Sequence, residues 1–275
     1  MVLKEFIIRS ISGVLFASVL ILAAQNRLSF LALVFIFGLI SLKEFNTLIE
    51  QKNPLSYLIF IFLFITFGFL DLLLESPALI DEVSQIIHVV CIFVLLFLTR
   101  DLFSSKSLPK LLTNRYINTT FYISCGFIFL ILISLSSGAY SSSTIIGMFI
   151  LIWTNDSFAY IIGSNFGRQK LFESVSPKKT VEGFLGGLFF STVVGYLLFK
   201  FADNLEFSNW LIISVIVSVF GTIGDLIESK YKRQANVKDS GNLLPGHGGL
   251  LDRMDSAIFI APFIYLFIKI LNYVS

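Results

Sequence analysis

The chain has 275 residues, of which 56% are hydrophobic and 14% charged, with 31 phenylalanines and a formal net charge of +2. A soluble domain keeps about a quarter of its residues charged, so most of this surface faces something other than water. The near-neutral balance by itself implies no partner, nucleic acid included. Cys91 and Cys125, each inside an apolar run, form neither a disulfide framework nor a zinc spacing and read as small hydrophobes.

Nine apolar runs read as membrane helices: residues 7–24, 28–42, 55–74, 83–99, 119–137, 144–163, 184–201, 210–227 and 254–273. The second and fourth are short for a hydrocarbon core of about 30 Å. The first follows Lys4 but is long for the apolar region of a signal peptide, and it reads as a retained helix. The expected fold is therefore all-α, a polytopic membrane protein with about nine transmembrane helices. With the N-terminus in the cytoplasm, 17 of the 20 lysines and arginines fall inside. Only Arg27, Lys200 and Lys269 fall outside, together with the C-terminus.

Residues 1–140 form a scaffold whose connectors carry little chemistry. Asp71, Glu75, Asp81 and Glu82 flank an outside loop and read as solvated, and the lone His88 reads as a hydrogen-bonded core residue. Residues 141–275 belong to the same membrane domain but concentrate polar residues in two inside loops, 164–183 and 228–253.

Several carboxylates in this half lack a bland explanation. Asp225 nears the end of the eighth run, where the helix dipole disfavours an anion. Its helical neighbours Gly221, Thr222, Glu228 and Ser229 include no base. Asp156 lies near the end of the sixth run with only apolar helical neighbours. Asp252 and Asp255 open the ninth run on one helical face, also without a basic neighbour. Glu228, by contrast, has Lys232 four residues on and is set aside as an ordinary helix pair. Unpaired carboxylates at membrane depth call for a counter-charge, and a hard cation such as Mg²⁺ with substrate phosphates supplies one. The spacing leaves Asp252 two readings, a helix N-cap or a metal ligand.

The loop before the ninth run reads Lys238-Asp239-Ser240-Gly241-Asn242-Leu243-Leu244-Pro245-Gly246-His247-Gly248-Gly249 and feeds a helix N-terminus, a setting that suits phosphate. The other loop carries Ser176-Pro177-Lys178-Lys179-Thr180-Val181-Glu182-Gly183 before a glycine-rich helix start. It reads as a phosphate clamp, although a positive-inside flank and close helix packing each explain part of it. It lacks P-loop spacing.

These residues resemble the phosphatidate cytidylyltransferase (CDP-diacylglycerol synthase) family. The family signature stands here as Ser229, Lys232-Arg233, Lys238-Asp239, His247-Gly248-Gly249 and Asp252-Arg253-Met254-Asp255. Asp156 with Ala159-Tyr160, the run from Ser176 to Thr180 with Glu182-Gly183, and Gly224-Asp225 also match, so the resemblance covers roughly 150–260. It implies a bacterial-type inner-membrane enzyme, its site facing the cytoplasm, that converts CTP and phosphatidic acid to CDP-diacylglycerol and pyrophosphate. Asp225, Asp252 and Asp255 would hold Mg²⁺ or a similar divalent cation, with room for a second cation. Arg253 and His247 would serve catalysis. Asp156, Ser176, Lys178, Lys179, Thr180, Ser229, Arg233, Lys238, Asp239, Gly248 and Gly249 would bind substrate. A homodimer is left open. The rival readings are a CTP-dependent polyprenol or phytol kinase and a transporter lined by intramembrane carboxylates.

Overall fold

A computed structural model of the chain describes residues 2–73, 78–104, 114–136, 139–201 and 205–274. Nine helices are described: α1 (Val2–Ala24), α2 (Arg27–Leu48), α3 (Leu55–Leu73), α4 (Ala78–Phe103), α5 (Arg115–Ser134), α6 (Ser143–Phe166), α7 (Val181–Phe201), α8 (Phe207–Gln234) and α9 (Leu251–Val274). Each coincides with one apolar run of the sequence. Seven of them are long and apolar enough over the described residues to cross a membrane; the apolar stretches Ser10–Ala24 and Leu55–Phe69 are shorter. The second and fourth runs, short in sequence, are among the seven. Their helices continue into polar residues, α2 as far as Leu48 and α4 through Arg100 to Phe103.

One element departs from the all-α expectation. Between α6 and α7 the chain forms a small antiparallel hairpin, β1 (Lys170–Phe172) with β2 (Ser176–Thr180). Paired backbone groups there hold Lys178 and Lys179 in a fixed ribbon instead of a loose connector. Thr180 ends the hairpin and starts α7, its Oγ1 accepting the Gly183 N–H at 3.1 Å.

The helices pack around α9. Ile258, Phe259, Ile260, Ala261 and Ile264 are all fully buried, so the middle of this helix is covered on every side, as a stretch apolar all round must be, while Leu266, Ile270 and Tyr273 nearer its end are exposed. Small residues set the closest approaches. A Cβ on Gly187 of α7 would lie 2.7 Å from the Asn155 carbonyl of α6, and one on Gly224 of α8 would lie 2.6 Å from Phe259 Cβ. On the outside, Leu15, Leu22, Phe62 and Ile86 are among many exposed large apolar residues, suited to lipid contact.

Inside, His88 is buried with its Nε2 2.8 Å from the Pro262 carbonyl oxygen, the core role read from its sequence. Both cysteines are buried and free. Glu82 is exposed, whereas Glu75 and the side chains of Asp71 and Asp81 lie outside the described residues. The same is true of Lys4.

The loop holding Lys178 and the loop holding Lys238 are separated by two antiparallel helices and lie at one end of the bundle. Cysteines substituted for these lysines are expected to react with an impermeant maleimide from one and the same side of sealed vesicles, the buried native cysteines giving little background. Labelling from opposite sides would contradict this topology.

Candidate active site

The candidate site forms where the C-terminal half of α8 meets the first turns of α9 and the end of β2. Asp225 and Glu228 lie one helical turn apart on α8, and Asp255 projects from α9. Their carboxylate oxygens come within 4.8 Å of one another, with Glu228 and Asp255 buried and Asp225 half-buried. Like charges this close, out of water, repel strongly unless compensated.

Two lysines supply part of the compensation. Lys179 reaches from β2 to pair with Asp225, whose other oxygen accepts the Ser229 hydroxyl at 3.2 Å. Burial pulls the Lys179 ammonium down, but the Asp225 carboxylate outweighs it and holds the group above the ordinary lysine range. Lys232 pairs with Glu228 one turn before it and with Asp252 of α9 at 2.6 Å. Two ammonium groups thus face four carboxyl groups.

Asp252 stands apart from the trio, joined to it through Lys232. Its other oxygen accepts Ser240 N at 2.9 Å, Ser240 Oγ at 2.9 Å and Gly249 N at 2.8 Å. Asp252 thus lies inside α9 and accepts from the amide three residues before it, not from amides that follow it as an N-cap does, so its carboxylate braces the loop and Lys232. Glu228, set aside in the sequence because Lys232 lay at helical spacing, does make that pair, yet it also completes the carboxylate cluster. Lys232 is shared between two acids and neutralises only one of them.

The glycine-rich loop is a built structure. Leu244-Pro245-Gly246-His247 forms a turn closed by a 2.9 Å bond from His247 N to the Leu244 carbonyl. Proline occupies its second position and Gly246, at φ +78°, its third, the type II pattern. Gly248 follows at φ +83°, where a Cβ would also lie 2.7 Å from Asp252 Oδ2. His247 rests on α1, with Nδ1 2.7 Å from Ser12 Oγ and the ring edge against Gly13.

The helix N-terminus that the sequence offers to phosphate already has protein acceptors. Gly249 N–H goes to Asp252, while Leu250 N and Leu251 N donate to Glu44 of α2 at 3.0 and 2.7 Å. Glu44 is therefore a chemistry-bearing residue in the half that the sequence treats as scaffold.

Among the other predicted residues, Ser176 is half-buried at the start of β2, and Lys178, Lys238, Asp239 and Arg253 are exposed. Asp156, exposed on α6, is within electrostatic reach of Lys179, Asp225 and Arg253, which joins it to the site. Arg233 instead turns to its own chain, donating to the Val237 carbonyl at 3.1 Å. The N-terminal half braces α8: Lys230 pairs with Asp101 of α4 at 2.6 Å, and Tyr231 stacks on Tyr122 of α5 with Phe45 of α2 edge-on to both.

The sequence model of a family described as the cytidylyltransferase family matches residues 6–271. A phosphatidate cytidylyltransferase of Staphylococcus haemolyticus is 49% identical over 115 residues, covering 42% of this chain and 44% of the relative. That of Bacillus subtilis is 45% identical over 124 residues, covering 45% and 46%. That of Staphylococcus saprophyticus is 50% identical over 115 residues, covering 42% and 44%. The matched stretch thus spans somewhat under half the length of each relative.

The trio fits a hard divalent cation, offering only oxygen donors at close range in an anionic pocket. Glu228→Gln keeps the shape but removes one charge. Binding of Mn²⁺ to detergent-purified protein, followed by its electron paramagnetic resonance signal, is expected to weaken by at least about tenfold. Unchanged affinity would remove Glu228 from the centre.

Proposed function

The chain belongs to the cytidylyltransferase family, and from that footing we propose that it transfers the cytidylyl group of CTP to phosphatidic acid, releasing pyrophosphate. The observation that carries the reading is the cluster of Asp225, Glu228 and Asp255 between Lys179 and Lys232, at the end of a bundle of apolar helices. Such a place suits a reaction between a water-soluble nucleotide and a lipid. The basic bias of this end of the chain supports a cytoplasmic orientation, where CTP is available.

In the reaction a phosphate oxygen of the lipid attacks the α-phosphorus of CTP. The bond from that phosphorus to the bridging oxygen breaks, and pyrophosphate leaves with the electron pair. A phosphate monoester has its second pKa near about 6, so the nucleophile is largely dianionic at neutral pH and needs no strong general base. The remaining demands are alignment and compensation of charge. A divalent ion such as Mg²⁺ held by Asp225, Glu228 and Asp255 would supply Lewis-acid stabilisation of the triphosphate.

The side chains divide the rest. Lys179, held charged by Asp225, sits at the boundary between the hairpin and the trio and is placed to exchange its carboxylate for an incoming phosphate. Lys178, Lys238 and Arg253, all exposed at the same end, meet the two phosphate-bearing substrates first. Asp252 orients Lys232 and the loop through Ser240 and Gly249. His247, seated on α1, anchors the turn of the glycine-rich loop.

CTP labelled at its α-phosphorus separates this reading from its rivals. Incubation of the purified protein with phosphatidic acid, Mg²⁺ and labelled CTP is expected to move the label into chloroform-extractable lipid with equimolar pyrophosphate. Release of labelled CDP with unlabelled lipid would indicate a CTP-dependent lipid kinase. No turnover of CTP would leave the transporter reading.

A further inference from the structure

Glu44 is the least expected charge in the molecule. It lies in the last turn of α2, at the end of the helix where the dipole disfavours an anion, and its helical neighbours Ile40, Ser41, Thr47 and Leu48 include no base. It is nonetheless buried. A buried carboxylate persists only where its oxygens are satisfied, and every partner of Glu44 comes from some two hundred residues further along the chain. Oε1 accepts Leu250 N at 3.0 Å; Oε2 accepts Leu251 N at 2.7 Å and Ser240 Oγ at 3.1 Å.

Two of these partners, the amides of Leu250 and Leu251, are the backbone donors at the start of α9. A helix normally takes its N-cap from the residue just before it. Here Gly249 and Leu250 precede Leu251 and have no capping oxygen in their side chains, so α2 provides the acceptor. The same helix carries Asp252 and Asp255, within five residues of those amides. Fixing the amides therefore fixes the depth and rotation at which Asp255 enters the carboxylate trio.

The loop is shaped to this carboxylate. A Cβ on Gly241 would lie 2.5 Å from Glu44 Oε1, and one on Gly249 would lie 2.6 Å from Glu44 Oε2. Both glycines are needed for the loop to close over Glu44. The hydroxyl of Ser240, just before Gly241, lies 3.1 Å from Glu44 Oε2 and 2.9 Å from Asp252 Oδ2 and shares its one proton between them, so Glu44, Ser240, Asp252 and Lys232 form one continuous chain into the site.

We infer that Glu44 is a positioning residue for the nucleotidyl transfer: an anionic cap, supplied by the N-terminal half, that sets the register of α9 and thereby the placement of Asp255 against Asp225 and Glu228. It touches neither substrate. The inference rests on the proposed reaction only for its readout.

The test compares Glu44→Gln, Glu44→Ala, Gly241→Ala and the Glu44→Ala/Gly241→Ala double variant with the unmodified protein. Glutamine presents an amide N–H to one of the α9 amides and loses that acceptor, yet it preserves shape. Thermal unfolding of detergent-purified protein checks folding, and kinetics with varied CTP separate kcat from KM. The expected result for folded Glu44→Gln is a kcat lowered by at least about tenfold, with the KM for CTP changed by less than about threefold. Gly241→Ala should lower kcat by itself but add little to Glu44→Ala, because the contact it violates is then gone.

Wild-type kcat in Glu44→Gln would overturn the inference. So would an equal cost of Gly241→Ala in both backgrounds, or failure of both Glu44 variants to fold, which would make Glu44 a purely structural residue. If the unmodified protein turns over a different nucleotide, the proposed function fails while the same comparison, run on that nucleotide, still decides the role of Glu44.

Discussion

Four carboxylates gathered inside a bundle of apolar helices are the constraint on which this structure depends. Taking an ion out of water costs several kcal/mol even after the protein relaxes. Asp225, Glu228, Asp252 and Asp255 are held together only because cations and backbone donors converge on them. Lys232 is the centre of that compensation, its ammonium shared between fully buried Glu228 and nearly buried Asp252. Removing one partner of such a pair costs about 3–5 kcal/mol, because it strands the other charge. The elements that supply the partners are consequently fixed relative to one another: β2 through Lys179, the 238–249 loop through Ser240 and Gly249, and α2 through Glu44.

The compensation is incomplete, and that shortfall is where function enters. Asp225, Glu228 and Asp255 share two lysines with Asp252, and the close oxygen donors that remain suit a divalent cation, beside lysines and an arginine suited to phosphates. The protein thus keeps a destabilising excess of like charge at one place in an otherwise apolar body. Excesses of this kind are tolerated at functional sites and compensated by the surrounding packing. Here the packing is the middle of α9, buried on every side, with α8 braced against α2, α4 and α5 by Lys230–Asp101 and by the rings of Phe45, Tyr122 and Tyr231.

Most of the fold was legible in the sequence, because hydropathy in a membrane chain is a direct consequence of where water is absent. Every helix coincides with an apolar run, and the differences lie at helix ends that continue into polar residues, as α2 does beyond its apolar stretch. The β hairpin was not legible, since Lys170–Phe172 and Ser176–Thr180 are too short and too polar for a strand pattern to stand out. For the site, the rule that selects carboxylates without helical partners picks out Asp156, Asp225, Asp252 and Asp255. It passed over Glu228 because a helical partner was present, and a one-dimensional rule cannot see that Lys232 is shared with Asp252. Glu44 meets the same criterion as Asp225, an acid at a helix C-terminus with no base one turn away. It was hidden because the apolar run ends two residues earlier and placed it in a connector. The assignment of the loop glycines to phosphate had a similar limit: Gly241 and Gly249 do permit close approach to an anion, but that anion is the carboxylate of Glu44.

Asp225, Glu228 and Asp255 are the oxygen donors placed to hold a divalent cation. Anomalous diffraction from crystals of the protein soaked in Mn²⁺ tests this most directly. The expected result is a strong anomalous peak bounded by those three carboxylates, with Lys232 still holding Asp252. A peak ligated by Asp252 in place of Glu228, or the trio refined without any peak at saturating Mn²⁺, would contradict it.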